Sequence, residues 1–261
     1  MKQEEIVSLR LPYPGREDRL VRVFVPAHEE GERFPVIYMT DGQNLFDEES
    51  SGFGCWHTRE AVRALREDCG QAAVIVGIHN ADPWRTNELM PGSIGEPQVP
   101  EEDRAWVRPQ GEIFDAFLCG TVMPAVEARF PVRTGRENTA FCGSSMGGLM
   151  AFFTALSHPE RYCAAGVFSP AFHLYREEDL RRWIYARLGE EMPELLLYSG
   201  ALDELEQIIC RSTEQVYDML LECYPMEKLY EIILPDQRHH ECAWEPRFRD
   251  FLRMFYAHQR G

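Results

Sequence analysis

The stretch NTAFCGSSMGGLMAFF, residues 138–153, joins an apolar run to a smooth helical stretch through a glycine-rich turn. Within it, Gly143 and Gly147 flank Ser145 in the pattern Gly-x-Ser-x-Gly. This pattern at a strand-to-helix junction is typical of a nucleophile elbow, a sharp turn that pushes the serine hydroxyl out at the tip of a sheet. The turn also aims the first N–H groups of the next helix at negative charge that develops beside the serine. The alternative is a glycine-rich turn that only caps the helix.

Strand-like and helix-like segments alternate along the rest of the chain. Two β-rich runs at 6–11 and 20–26, joined by a turn-forming link, predict an antiparallel pair. Besides the strand before the elbow, further strands are predicted at 35–40, 72–79, 164–168, 195–199 and 229–234. Besides the helix after the elbow, helices are predicted at 56–67, 112–130, 180–188, 203–224 and 244–258. This alternation predicts one α/β domain over residues 1–261, with a mostly parallel sheet of about eight strands and helices on both faces.

Composition and charge exclude several classes of protein. The chain has 261 residues, of which 44% are hydrophobic and 27% charged, as in ordinary globular proteins. Its formal net charge of −16 would repel nucleic acid and anionic membranes, so neither is expected as a partner. Neither a secretory signal nor a run as long as a membrane span is found, and the eight cysteines contain no C-x-x-C pair. A cytoplasmic location with reduced cysteines is therefore expected, and homo-oligomers stay open.

A serine hydroxyl needs a histidine to take its proton and an acid to orient that histidine. In proteins with a nucleophile elbow the chain order is serine, acid, histidine. Asp203 directly follows one predicted strand, and His239 and His240 follow the next, so three neighbouring strand ends offer these groups in that order. Two alternatives remain: Asp203 is only a helix N-cap, with Glu204 as the competing acid, and one of the two histidines is structural.

An oxyanion hole requires two backbone N–H donors. One is expected from Met146, the residue after the serine. The other is expected from the turn after the third strand, where Gly42 permits a tight backbone and Gln43 is the candidate donor. The alternative is an ordinary Asp-Gly turn.

Segments spread over nearly the whole chain resemble one group of enzymes. The segments are YMTDGQNLF at 38–46, VGIHN at 76–80, GSSMGG at 143–148, PERY at 159–162, GALD at 200–203 and HHECAW at 239–244, together with Trp56, Arg85 and the segment ELMP at 88–91. They resemble the esterase D-like branch of the α/β-hydrolases. That branch includes feruloyl and acetyl carbohydrate esterases, enterochelin-type siderophore esterases and mycolyltransferases.

The resemblance implies an α/β-hydrolase fold and assigns roles to individual residues. The first histidine of the family's His-Asn-Glu-x-x-Trp motif falls on His239, while His240 stands where the family often has asparagine. The acid of the family's Gly-x-x-acid motif falls on Asp203. Arg85 and Glu88 match an Arg-x-x-Glu motif, whose expected role is to brace the loop at 80–110 by an ion pair; a loop of this length is usually functional.

The resemblance therefore implies a serine carboxylic ester hydrolase that works through an acyl-enzyme without a metal or cofactor. A small soluble ester is expected as substrate, either an acylated carbohydrate or a phenolic ester. The candidate substrate-binding residues are Asp41, Trp56, Trp84 and Arg85. Three alternatives stay open: a siderophore esterase that uses arginines of the long loop, an acyltransferase on the same catalytic residues, and a non-catalytic binding module.

Overall fold

The computed structural model describes residues 1–257 and forms one eight-stranded sheet. The strands are β1 (Glu5–Leu11), β2 (Arg19–Val25), β3 (Val36–Met39), β4 (Val74–Ile78), β5 (Thr139–Ser144), β6 (Ala164–Phe168), β7 (Glu194–Gly200) and β8 (Leu229–Leu234), in the order β1-β2-β4-β3-β5-β6-β7-β8. Strand β2 is antiparallel to both β1 and β4, and every other pair is parallel. The predicted fold class, including the antiparallel first pair, is confirmed.

Within residues 1–257, eight α-helices connect and cover these strands. They are α1 (Thr58–Cys69), α2 (Arg85–Glu88), α3 (Gly111–Phe117), α4 (Met123–Arg129), α5 (Met146–Ser157), α6 (Glu177–Tyr185), α7 (Glu204–Leu221) and α8 (Glu241–Ala257). The single helix predicted over 112–130 is divided into α3 and α4 by a π-helical turn at Leu118–Val122. This division places Pro124 in the first turn of α4, directly after the π-helical turn. The predicted end of the last helix at His258 lies outside the described residues.

The middle of the sheet is buried on both faces. Every residue of β3, β4 and β5 is buried, as expected for parallel strands covered on both sides. Helix α5 packs against β5 and β6, and α1 packs against α8. No helix within residues 1–257 combines the length and apolar character needed to cross a membrane.

Close backbone approaches explain the glycines around the elbow. A Cβ on Gly143 would collide with the carbonyl group of Gly147, and a Cβ on Gly147 would collide with the hydroxyl of Thr40, which follows β3. A Cβ on Gly148 would lie 2.6 Å from the carbonyl oxygen of Phe168 in β6. The elbow is therefore packed against the strands on both sides of β5, and this packing fixes the position of the residue that the turn presents.

Candidate active site

Ser145 is held in the elbow by a strained backbone and by hydrogen bonds to its neighbours. Its φ of 59° and ψ of −123° lie outside the regions that residues other than glycine normally adopt. Its N–H donates to the carbonyl of Phe168 at 2.9 Å, and its own carbonyl accepts from the N–H of Leu149 at 3.0 Å. Strain of this kind persists only where the surroundings enforce it, and it is concentrated at functional sites.

His239 follows β8 and lines the same cavity as Ser145. Its Nδ1 lies 3.3 Å from Oε2 of Glu206, and its ring packs edge-on against Trp244 with 5.0 Å between ring centroids. His240 also lines the cavity, but its Nδ1 accepts the backbone N–H of Cys242 in α8 at 3.2 Å. Of these two histidines, His239 has its ring positioned by a carboxylate.

Glu206 is fully buried in the first turns of α7, and its carboxylate is held at both oxygens. Oε1 accepts hydrogen bonds from the hydroxyl of Ser169 and, at 3.2 Å, from the N–H of Gly200, while Oε2 faces His239. The Ser169 hydroxyl accepts in turn from the indole N–H of Trp244 at 2.9 Å. A carboxylate fixed in this way cannot rotate away from the imidazole without breaking several hydrogen bonds.

The structure places Asp203 differently from the prediction that it orients the histidine ring. Oδ1 of Asp203 accepts the N–H of Glu206 at 2.9 Å, which makes Asp203 the N-cap of α7, and Oδ2 accepts the backbone N–H of His239 at 3.0 Å. These hydrogen bonds, with that from Glu206 the larger influence, hold the pKa of Asp203 below its usual value. Glu204, the other acid considered, is exposed at the start of α7. Asp203 therefore supports the backbone around the histidine, and Glu206 contacts its ring.

The two predicted oxyanion donors belong to two separate segments, the start of α5 and the turn after β3. Met146 is the first residue of α5, so its N–H belongs to the group of first-turn donors that have no partner within the helix. Gln43 lies in a 3₁₀ turn directly after β3 and lines the cavity together with Ser145. The turn passes so close to β4 that a Cβ on Gly42 would collide with the backbone of Gly77. The predicted tight turn at Gly42 is therefore present.

The Arg-x-x-Glu motif braces the long loop through two separate ion pairs. Arg85 binds Asp41 in a bidentate pair, with Nε–Oδ1 and Nη2–Oδ2 distances of 2.6 and 2.7 Å, and Asn80 donates to Oδ1 of Asp41 at 2.7 Å. Glu88 is buried and accepts two hydrogen bonds of 2.8 Å from Arg19 at the start of β2. The loop is thus tied to the ends of β3 and β2, and Asp41 and Arg85 also line the cavity.

The cavity measures about 790 Å³, which is within the range of small-molecule sites, but two of the four predicted substrate-binding residues are not in its lining. Trp56 is 2% exposed and packs against Phe168 and Trp244, so its prediction as a wall of the site was wrong and it belongs to the core. Trp84 is 47% exposed and stacks with Arg16 at 4.3 Å beside a neighbouring cavity of about 560 Å³. Phe53, a further aromatic residue that the sequence offers as a wall of the site, does line the cavity and is exposed.

Two other histidines, His79 and His158, have strongly shifted pKa values. Burial, reinforced by nearby arginines, lowers the pKa of His79 in the cavity to about 4, so its ring is neutral at pH 7. Away from the cavity, a 2.7 Å hydrogen bond from His158 to Asp115 raises the pKa of His158 to about 10. Asp115, Cys119 and His158 are also the one group among the described residues whose donor atoms are close enough to share a metal ion.

Comparison with known proteins assigns the family. The family model described as "Putative esterase" matches residues 15–187. The chain belongs to this esterase family. Since the esterase model includes the elbow and the long loop, the resemblance predicted from the sequence is confirmed.

Solved structures similar to this esterase share the fold over nearly its whole length. Siderophore hydrolase EstA from Aspergillus nidulans is 21% identical with a TM-score of 0.76, and the match covers 98% of this chain and 95% of that one. A ferulic acid esterase from Anaeromyces mucronatus is 20% identical with a TM-score of 0.67, covering 96% and 90%. Ferric enterobactin esterase from Salmonella typhimurium is 18% identical with a TM-score of 0.73, covering 98% of this chain and 59% of that one.

Proposed function

We propose that this protein is a serine esterase that hydrolyses carboxylic esters through an acyl-enzyme. The observation that supports the proposal is a cavity lined by both the strained Ser145 and His239, with Nδ1 of His239 lying 3.3 Å from the buried carboxylate of Glu206. This is the arrangement of nucleophile, base and orienting acid that activates a hydroxyl group.

In the proposed reaction the Ser145 hydroxyl attacks the ester carbonyl while His239 takes its proton. The N–H groups of Met146 and Gln43 hold the negative charge on the carbonyl oxygen. His239 then protonates the leaving alcohol, and the acyl group remains on the serine. A water molecule attacks this acyl-enzyme, again with His239 as base, which releases the acid and restores the hydroxyl. Glu206 keeps the Nδ1 proton in place and stabilises the imidazolium in both halves.

The substrate class that we propose is a small ester of an acylated carbohydrate or a phenolic acid. Ferulic acid esterases are among the proteins with this fold, and the cavity combines polar groups with the aromatic ring of Phe53. Siderophore hydrolases also share the fold, so a siderophore ester is the second candidate. The loop arginines that would bind a polyanionic siderophore are not free to do so. Arg85 lines the cavity but is paired with Asp41. Arg104 and Arg108 do not line it, and Arg108 donates to the carbonyl of Arg104.

Labelling with a fluorophosphonate tests the proposed mechanism. Intact mass after incubation is expected to show one adduct on the wild-type protein and on Ser144→Ala, the matched control at the neighbouring serine, and none on Ser145→Ala. Ser145→Ala is also expected to lower ester turnover by several orders of magnitude while the far-UV circular dichroism stays unchanged. Absence of labelling on the folded wild-type protein would favour the binding module, and ester products formed with added sugar acceptors would favour the acyltransferase.

A further inference from the structure

The charged side chains that line the Ser145 cavity are mostly acidic. Within the described residues the lining contains three carboxylates, Asp41, Asp82 and Glu241, and one guanidinium, that of Arg85. Arg85 is already engaged by Asp41 in the bidentate pair, so it has little capacity for an anionic ligand. His79 adds no positive charge, since burial holds its pKa at about 4.

Glu241 is a buried carboxylate that the proposed reaction does not use. It is 6% exposed, and Oε1 accepts a hydrogen bond from Nδ2 of Asn44 at 3.0 Å. In the described part of the chain no lysine, arginine or histidine forms an ion pair with it. It is the first residue of the 17-residue helix α8, whose N-terminal dipole favours a negative charge there. Burial raises the pKa of Glu241 to about 6, so the carboxylate is largely ionised at pH 7. The charges of His239 and Arg85 act on it without forming an ion pair.

Glu241 also lies close to the reacting groups. It follows His239 by two residues, which limits the distance between their Cα atoms to about 7 Å. Both residues line the same cavity as Ser145, and the charge of His239 acts on the Glu241 carboxylate, so a ligand group bound at Glu241 shares the cavity with the reacting ester. The net charge of −16 acts in the same direction, because it attracts cations to the cavity and repels anions.

We propose that this cavity selects esters that carry an ammonium group near the scissile bond, and that Glu241 is the residue that binds that group. The inference rests on the proposed esterase function and narrows its substrate class to amino esters, such as esters of amino alcohols or amino sugars. Polyanionic esters are excluded by the same charges.

Three acetate esters of similar size test the charge preference. They are acetylcholine, its uncharged analogue 3,3-dimethylbutyl acetate, and the anionic acetate ester of 3-hydroxypropionate. We expect kcat/KM of the wild-type protein to be at least about tenfold higher for the cation than for the neutral ester, and lower again for the anion. The ratio for cation to neutral ester is expected to fall severalfold in Glu241→Gln and to stay at the wild-type value in Glu245→Gln. Glu245 lies one turn further along α8, outside the cavity lining.

The ratio is insensitive to the fraction of active protein, so partial misfolding of a variant does not affect it. If Glu241→Gln does not fold, the proposal is tested by the ratio of cation to neutral ester measured for Glu241→Asp and for the wild-type protein. The assignment of Glu241 as the ammonium-binding residue is overturned if the wild-type ratio of cation to neutral ester is near one, or if Glu241→Gln leaves that ratio unchanged. Hydrolysis of the neutral ester would in that case still uphold the esterase function. If none of the three esters is hydrolysed and fluorophosphonate does not label Ser145, the proposed function fails and this inference fails with it.

Discussion

Replacing Glu206 by glutamine tests whether Glu206, the acid beside the His239 ring in the structure, has the role that the sequence assigns to Asp203. Glutamine keeps the size of the side chain, and its amide oxygen can still accept from Ser169 and Gly200. What is lost is the negative charge beside Nδ1 of His239, at present 3.3 Å away. The substitution therefore removes the charge that stabilises the imidazolium and leaves most of the packing in place.

The expected effect follows from the separation of the two charges. For unit charges about 4 Å apart in an effective dielectric of about 20, the interaction is worth about 4 kcal/mol. Its loss in the transition state corresponds to a decrease of roughly 10³-fold in kcat. Asp203→Asn should behave differently, because asparagine is as good an N-cap as aspartate. We expect it to cost about 1 kcal/mol of stability through one lost hydrogen bond, and less than tenfold in kcat.

The two variants, Glu206→Gln and Asp203→Asn, are compared by steady-state hydrolysis of a neutral ester and by the rate of fluorophosphonate labelling. Glu204→Gln serves as the control, since Glu204 is exposed one residue after Asp203 and should behave like the wild-type protein. Thermal unfolding reports whether a loss of rate reflects a loss of structure. The reasoning is refuted if Asp203→Asn loses as much activity as Glu206→Gln or more while both remain folded.

Two further predictions concern the elbow and the remote histidine. Gly147→Ala should abolish soluble folded protein or lower the free energy of unfolding by more than about 3 kcal/mol. The control is Gly189→Ala, where an added Cβ meets nothing within 4 Å, and it should change the free energy of unfolding by less than about 1 kcal/mol. Equal effects of the two substitutions in urea denaturation would contradict the close packing at Gly147. His158 has a pKa raised to about 10 by its hydrogen bond to Asp115, so its stabilising contribution is complete below about pH 6.5 and is lost as the pH rises from there to about 10. Urea denaturation at pH 6, 8 and 10 should therefore show the stability gap between wild type and His158→Gln shrink by about 3 kcal/mol across that range, and a gap independent of pH would refute the assignment.

The elbow could be predicted from sequence because its determinants are local. The residues that form β5, the turn and α5 lie within residues 138–157, and the close approach of Gly143 to the backbone of Gly147 arises within this segment. The contact that requires Gly147 comes from outside it, from Thr40. Strand β8 was also predicted with its exact bounds, since alternation and flanking turn residues define a strand without knowledge of its partners.

The burial of Trp56 could not be predicted from the residues around it in the sequence. It precedes α1 and lies near residues that form the cavity, which made it a plausible wall for an aromatic acyl group. Its burial is decided by Trp244 and Phe248, which lie in α8 nearly two hundred residues later. Because α1 packs on α8, the indole is enclosed between the two helices and the sheet. The sequence around Trp56 contains no information about that contact.

The assignment of Glu206 as the acid depends partly on a local sequence pattern and partly on contacts between distant segments. Along α7 the buried positions include Ile209, Cys210, Thr213 and Val216, a helical spacing that places Glu206 on the same face. A carboxylate on the buried face of a helix requires a partner, because burying an unpaired charge is costly. That signal was present in the sequence, and it distinguishes Glu206 from Asp203, whose position just before the helix is explained by capping alone. The identity of the partner depends on how α7 crosses β7 and β8, which brings the start of the helix beneath His239. Glu206 is therefore the acid whose position no local role explains.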